Sequence, residues 1–319
     1  MNQGNEISGI LLIDKPEGIT SFSVVSSVRK ILHTKKAGHA GTLDPFATGL
    51  LVVAVGKATR VLRYMENHDK TYRATMVLGS ITDTGDKEGQ VIGGKLPNED
   101  ELAELRQDDF RLVREAVMSM VGEITQVPSI YSAIKIAGRP AYEYARAGKE
   151  VEIPPRTITI HGIDIEKICE ADGTVQVEMT VSCSKGTYIR TLCEDIGNKL
   201  GYGAYCLALR RLRSGDCHIE NAISLETLAT EVEQGNSTFL LGEMSAMAHM
   251  LRIEVSKEEA KDLRCGKKLD FSLFRDRMEA VGVKEQETVL AVCQDEPIAV
   301  IYASEEEGQW LIREERVFA

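Results

Sequence analysis

The 319-residue sequence has seven cysteines but no CxxC pair and no Cys/His set at zinc-ligand spacing. An odd, scattered set at 169, 183, 193, 206, 217, 265 and 293 excludes a disulfide framework and reads as reduced thiols, mostly small core residues. No run of eighteen apolar residues occurs, so no membrane-spanning helix is expected. The N-terminal MNQGNEISG lacks the basic-then-apolar order of a secretory signal, and a cytoplasmic location is expected. There is no GxGxxG, and the nearest approach to a Walker loop, Gly89 to Lys95, is followed by Leu96 where Ser or Thr would be required. Nucleotide-dependent chemistry therefore has no support, and neither a cofactor nor a metal is expected.

Positive charge is also scarce, with a formal net charge of −11. Phosphate binding ordinarily leaves a basic footprint, so the total argues against a nucleic-acid partner. The acidity is not evenly spread. Residues 221–319 hold 11 basic against 20 acidic residues, and residues 83–123 hold 5 against 11. What remains of residues 1–220 holds 22 against 18, a mildly basic body that permits RNA binding without demonstrating it.

What the sequence does have is a large apolar fraction, 43%, and enough length for a large domain followed by a smaller one. Its most distinctive stretch is GHAGTLDPFATGLLVVAVG, residues 38–56. Pro45 drives Asp44 out of the α region, so this carboxylate sits on an extended or turn backbone. Gly38, Gly41 and Gly49 allow tight bends and close approach by a ligand. Leu50 to Val55 then reads as a buried strand that anchors the loop.

The remainder alternates short strands and helices. Residues 9–13 (GILLI) read as a strand, and Thr20 or Ser21 can cap an amphipathic helix over 22–32. Tyr72, Ala74, Met76 and Leu78 open an alternating strand, and GSITDTGDKEG (79–89) reads as a polar loop. Asn98 with Glu101 suggests a capping box for a surface helix over 98–120. Lys135, Arg139 and Arg146 interleave with Tyr131, Tyr142 and Tyr144, a pattern equally suited to a solvated face or an RNA-facing one. Residues 175–184 alternate as a strand leading into KGTYIRTL (185–192), and a helical close over 221–248 precedes a join at Gly235, Asn236 and Ser237. Beyond Met250 the apolar runs are short and separated by Gly and acidic clusters, which suggests a small β-rich domain.

Taken together, the run from Ala37 to Leu51, Lys15-Pro16 with Gly18, Thr20 and Ser21, the Lys70–Tyr72 block, Thr82–Gly89, residues 128–151, KGTYIRTL and LALRRLRSG (207–215) resemble, in order, the blocks of the TruB family of tRNA pseudouridine synthases. One departure is Leu212, where the family commonly has threonine. The resemblance implies an α+β fold, a large, mainly antiparallel mixed sheet flanked by helices. It divides the chain into a catalytic domain, residues 1–248, and a PUA-like RNA-binding domain, residues 249–319.

It further implies isomerisation of uridine 55 in the TΨC loop of tRNA, with the base flipped from its stack. Asp44 would be catalytic, attacking C1′ or taking the C2′ proton, a choice the sequence leaves open. His39, Tyr72, Tyr188 and Leu209 would contact substrate, with His39 filling the room left by the extruded base. Arg190 would lie beside Asp44, depress its pKa and keep it ionised. Asp86 would pair with that arginine, and Lys15 and Pro16 would shape the floor of the site. The implied partner is the T-arm stem-loop of tRNA, with no membrane or metal and a monomeric enzyme. Two other classes remain open: a fold that binds RNA without catalysis, and a nucleosidase, which would ordinarily need two carboxylates in assigned roles.

Overall fold

Seven of the eight residues of Thr48–Val55 are buried, because after Gly49 the strand is apolar on both faces. The computed structural model describes residues 7–131, 134–136, 138–147, 149, 151–284 and 287–318. In it this strand pairs along its length with Gly9–Lys15, antiparallel, Ile13 opposite Leu51. A second set of partners is divided. Ala37–Ala40 pairs with Val52 to Val55, and Ala204–Ser214 pairs in parallel with Thr48 and Gly49. Residues 41–47, which carry Asp44, leave the sheet between these two partners. From Ala204–Ser214 the sheet continues antiparallel through Lys70–Leu78, Thr174–Cys183, Arg156–Ala171 and Gly122–Gln126, nine described strands in all when Cys217–His218 is included.

The parallel contact at Gly49 depends on glycine. Its φ is +97°, and a Cβ there would come within 2.4 Å of the Arg211 carbonyl oxygen. The helix Ser21–Ile31 is capped by Thr20, whose side chain accepts the Ser23 N–H, and it buries Val24, Val25 and Val28 against Leu11, Ile13, Leu51 and Val53. Each such valine contributes on the order of 1.5–3 kcal/mol when fully buried. Ile189–Lys199 sets Ile189, Leu192 and Ile196 into a separate core with Met76, Val177 and Met179. Helices thus flank a mixed, mainly antiparallel sheet, as the α+β reading anticipates.

Two local differences have physical reasons. The helix read over 98–120 spans Glu99–Met118 and has the anticipated capping box, yet its backbone leaves the helix at Gln107 to Phe110. Asp108 and Asp109 take positive φ, which short side chains able to bond locally tolerate best, and Phe110, also at positive φ, closes the break with its side chain packed against the core. The C-terminal segment is β-rich, a five-stranded sheet in the order Arg252–Glu254, Val289–Cys293, Glu296–Glu306, Gln309–Val317, Leu269–Asp270. It also contains the helices Lys257–Arg264 and Arg275–Ala280, which the short apolar runs did not announce. One core joins this sheet to the larger one, since Leu290, Val292, Val300 and Phe318 cluster with Ile10, Leu12, Leu50 and Val52. Among the described residues no helix is long and apolar enough to cross a membrane.

Candidate active site

Asp44 is held in place by a residue block 23 to 29 positions earlier in the chain. Lys15, fully buried at the end of its strand, donates from Nζ to the carbonyls of Pro16 (2.9 Å), Ile19 (2.7 Å) and Pro45 (3.1 Å). The Gly18 N–H donates to the same Pro45 oxygen at 2.9 Å. The Ser21 hydroxyl donates to the Leu43 carbonyl (3.1 Å) and accepts the Leu43 N–H (2.9 Å). The main chain on both sides of Asp44 is therefore fixed by the turn after the first strand.

On its other side the carboxylate meets Arg190, delivered by the first turn of Ile189–Lys199. Nε lies 3.0 Å from Oδ2, and Nη2 donates to Oδ1 at 3.3 Å, a two-point contact. The guanidinium is itself 5% exposed and fully engaged: Nη1 donates to the Thr84 carbonyl (2.5 Å) and to Asp86 Oδ2 (3.3 Å), and Nη2 to the Tyr131 carbonyl (3.0 Å). Asp86 is 7% exposed in its side chain and is oriented by the Thr84 hydroxyl (2.8 Å) and the Glu88 N–H (3.0 Å). Gln126 holds the preceding turn, accepting the Tyr188 N–H at 3.1 Å.

These groups surround a cavity of about 460 Å³ lined by His39, Asp44, Lys70, Tyr72, Tyr188, Arg190, Leu209 and Arg211, among others. That volume suits a single extruded nucleotide. Six of the nine residues singled out in the sequence thus converge on one cavity. Asp86, Lys15 and Pro16 do not line it. Asp86 supports Arg190 from behind, Lys15 lies under the aspartate loop, and Pro16 is exposed and contributes its carbonyl. Arg139 and Tyr144 belong to a short hairpin and helix, whereas the side chains of Lys135, Tyr142 and Arg146 lie outside those described.

The electrostatics differ from expectation in one respect. Arg190 does act to lower the Asp44 pKa, but burial acts more strongly, Asp86 adds to it, and the carboxyl stands above the ordinary aspartate value. The guanidinium opposes the cost of desolvation without abolishing it. Burial, with Arg211 nearby, lowers the His39 pKa and keeps that imidazole neutral at pH 7. Lys15 and Lys70 are both pushed down to about 8 by burial. A reaction that needs ionised Asp44 therefore loses kcat/KM on acidification with a one-proton slope whose midpoint lies above the ordinary aspartate value. An alkaline limb is expected near pH 8, where Lys15 and Lys70 lose charge. A pH profile of the free enzyme checks both, and a flat line down to the ordinary aspartate range contradicts the raised value.

Sequence reasoning missed three contributors. The sequence offers Ser21 only as an alternative helix cap, whereas Thr20 is the cap and Ser21 bonds the Leu43 main chain; Lys70 and Arg211 line the cavity, and Arg211 is 1% exposed. The signal for Arg211 was its spacing of two from Leu209, which puts both on one face of a strand. Among the described residues no group of His, Cys, Asp or Glu is arranged to hold a metal ion.

A cavity-facing carboxylate, held by a guanidinium on a mixed sheet, places the protein in the pseudouridine synthase class of fold. Its structure is similar to a chain of an H/ACA RNP bound to a substrate RNA containing 2′-deoxyuridine, with TM-score 0.68, 26% identity, and coverage of 98% of this chain and 85% of that one. It is likewise similar to a chain of a Cbf5-Nop10-Gar1 complex, with TM-score 0.68, 28% identity and the same coverage. Residues 29–189 match the TruB family pseudouridylate synthase (N terminal domain), and residues 190–254 match the tRNA pseudouridylate synthase B C-terminal domain. The chain belongs to the TruB family of pseudouridylate synthases. Relatives named tRNA pseudouridine synthase B include those of Streptococcus pneumoniae, 40% identical over 90% of this chain and 96% of its own length, and Geobacter sulfurreducens, 42% identical over 82% of each. The boundary between the two matched segments, at 189/190, falls between two residues that line the cavity and is no structural seam.

Proposed function

We propose that this enzyme converts uridine 55 in the TΨC loop of tRNA to pseudouridine, with Asp44 acting on the ribose of a flipped-out nucleotide. The observation that carries the reading is the two-point Arg190–Asp44 contact, at 3.0 and 3.3 Å, in the wall of a nucleotide-sized cavity. Breaking N1–C1′ and joining C5 to C1′ requires a carboxylate next to the ribose, which attacks C1′ or takes the C2′ proton. Tyr72 and Leu209, on adjacent paired strands, supply an aromatic and an aliphatic surface against the flipped base. Tyr188 and the neutral His39 complete the contact surface. Lys70, Arg156, Arg190 and Arg211 outnumber Asp44 and Glu66 around the cavity, so it suits a polyanion in spite of the negative total charge.

The likeness of relatives named for tRNA supports this substrate. Residues 1–248 would form the catalytic domain and residues 249–319 a PUA-like domain, in support of which the latter have a sheet of their own. Their share of acidic residues gives that sheet a smaller part in holding the phosphate backbone.

The test is to incubate unmodified tRNA, the same tRNA with cytidine at position 55, and free uridine with the enzyme, and to assay pseudouridine. Product is expected from the unmodified tRNA alone. Equal product elsewhere in the cytidine variant would refute the position, product from free uridine would point to a nucleosidase-like site, and binding without product to a non-catalytic protein.

A further inference from the structure

Arg211 is the largest fully buried side chain among the described residues, and it is spent on main-chain oxygens. Nε donates to the Leu50 carbonyl at 2.7 Å, Nη2 to the Gly41 carbonyl at 3.1 Å, and Nη1 reaches the Thr42 carbonyl at 3.5 Å. Its own backbone pairs with Gly49, where the absence of a Cβ lets the two chains touch. One residue therefore grips both ends of the segment that carries Asp44, by its side chain at the entry and its main chain at the exit. Tyr72 stands directly opposite it in the next strand, and the tyrosine hydroxyl lies against the same guanidinium.

We propose that Arg211 is a positioning residue that ties the Asp44 loop and Tyr72 to one support, fixing the distance between the carboxylate and the base-facing ring. This rests on the catalytic reading of Asp44 above. The fork geometry is what the position requires, because Leu50 and Gly41 are reached by different nitrogens, whereas the three donors of an ammonium share one nitrogen that would have to lie within reach of both oxygens. The neighbouring Arg210 shows the contrast: it points to the opposite face and pairs with Asp14 at 2.7 and 3.0 Å, its side chain 37% exposed. Its charge is met by Asp14, and its one side-chain contact to the exit of the segment is the Thr48 hydroxyl at 3.5 Å, with none to the Gly41 or Leu50 carbonyls. Displacement of a catalytic group by about 1 Å is enough to slow a reaction ~10²-fold with binding intact.

The experiment compares the parent with Arg211→Lys, Arg211→Gln and Arg210→Lys, reading single-turnover pseudouridine formation, RNA Kd and thermal unfolding on the same samples. Arg211→Lys is expected to react ~10²-fold slower with Kd within about threefold of the parent, while Arg210→Lys stays within about threefold in both. Adding Tyr72→Phe to Arg211→Lys is expected to cost less than in the parent, since the two share one contact. Arg211→Lys reacting at the parental rate would overturn the proposal. So would a rate loss matched by an equal loss of RNA affinity, or failure of both Arg211 variants to fold, which would assign the residue to stability. A parent that makes no pseudouridine would instead reject the catalytic reading itself.

Discussion

Asp44→Asn is expected to abolish pseudouridine formation, slowing single turnover by at least ~10⁴-fold, on the scale seen when a catalytic nucleophile or base is removed. The amide is isosteric and can still accept a hydrogen bond from Arg190, so RNA affinity should change little. What disappears is the negative charge at the ribose. Stability should move the other way. The Asp44 pKa is raised in the folded protein, so its ionised form is disfavoured by folding and opposes stability at neutral pH. Asn carries no such penalty, and its melting temperature at pH 7 should equal or exceed the parent's. The sign follows from linkage: as pH falls through the raised folded value towards the ordinary one, the parent takes up its proton, and the difference between the two proteins should shrink. Residual turnover above about one hundredth of the parent would remove Asp44 from the chemistry. A lower melting temperature for the variant would show that the ionised carboxylate is a net stabiliser.

The second large effect is expected at Arg190. Replacement by Met removes the shared partner of two carboxylates, one of which, Asp86, is almost wholly buried. Stranding a buried charge typically costs about 3–5 kcal/mol, so the variant should melt ~10 °C or more below the parent. Catalysis should fall as well, for a separate reason. Arg190 is the main influence holding the Asp44 pKa down against burial. Without it a larger share of Asp44 is protonated at neutral pH, and the acid limb of the rate profile should move to higher pH. Arg190→Lys should recover part of the stability but little of the rate, because the ammonium cannot reach Asp44 at two points and also Asp86, Thr84 and Tyr131. Urea unfolding and a pH–rate profile for both variants test this. A methionine variant as stable as the parent would mean that the three-member ion cluster is dispensable to the fold.

Much of the fold was legible locally. Alternation in 175–184, the continuous apolar run after Gly49, and the capping signals at Thr20 and Asn98 each correspond to an observed strand or cap. Where reading failed, the deciding contact was distant or the sequence ambiguous. The break at Gln107 to Phe110 carries no Gly or Pro, and the helices between the C-terminal strands are short enough that packing outweighs pattern.

The sequence by itself determined that Asp44 stands outside helical structure before a buried strand, and that a turn at Lys15 to Ser21, an arginine block at 190 and a leucine at 209 accompany it. Only the tertiary structure decided that Arg190, 146 residues along the chain, forks onto Asp44. It alone decided that the aspartate's pKa goes up, and that of two adjacent arginines Arg211 turns inward while Arg210 does not. The physical reason is the same in each case. Local backbone preference is written in neighbouring residues, whereas desolvation and the aim of a side chain depend on what the rest of the chain packs around it.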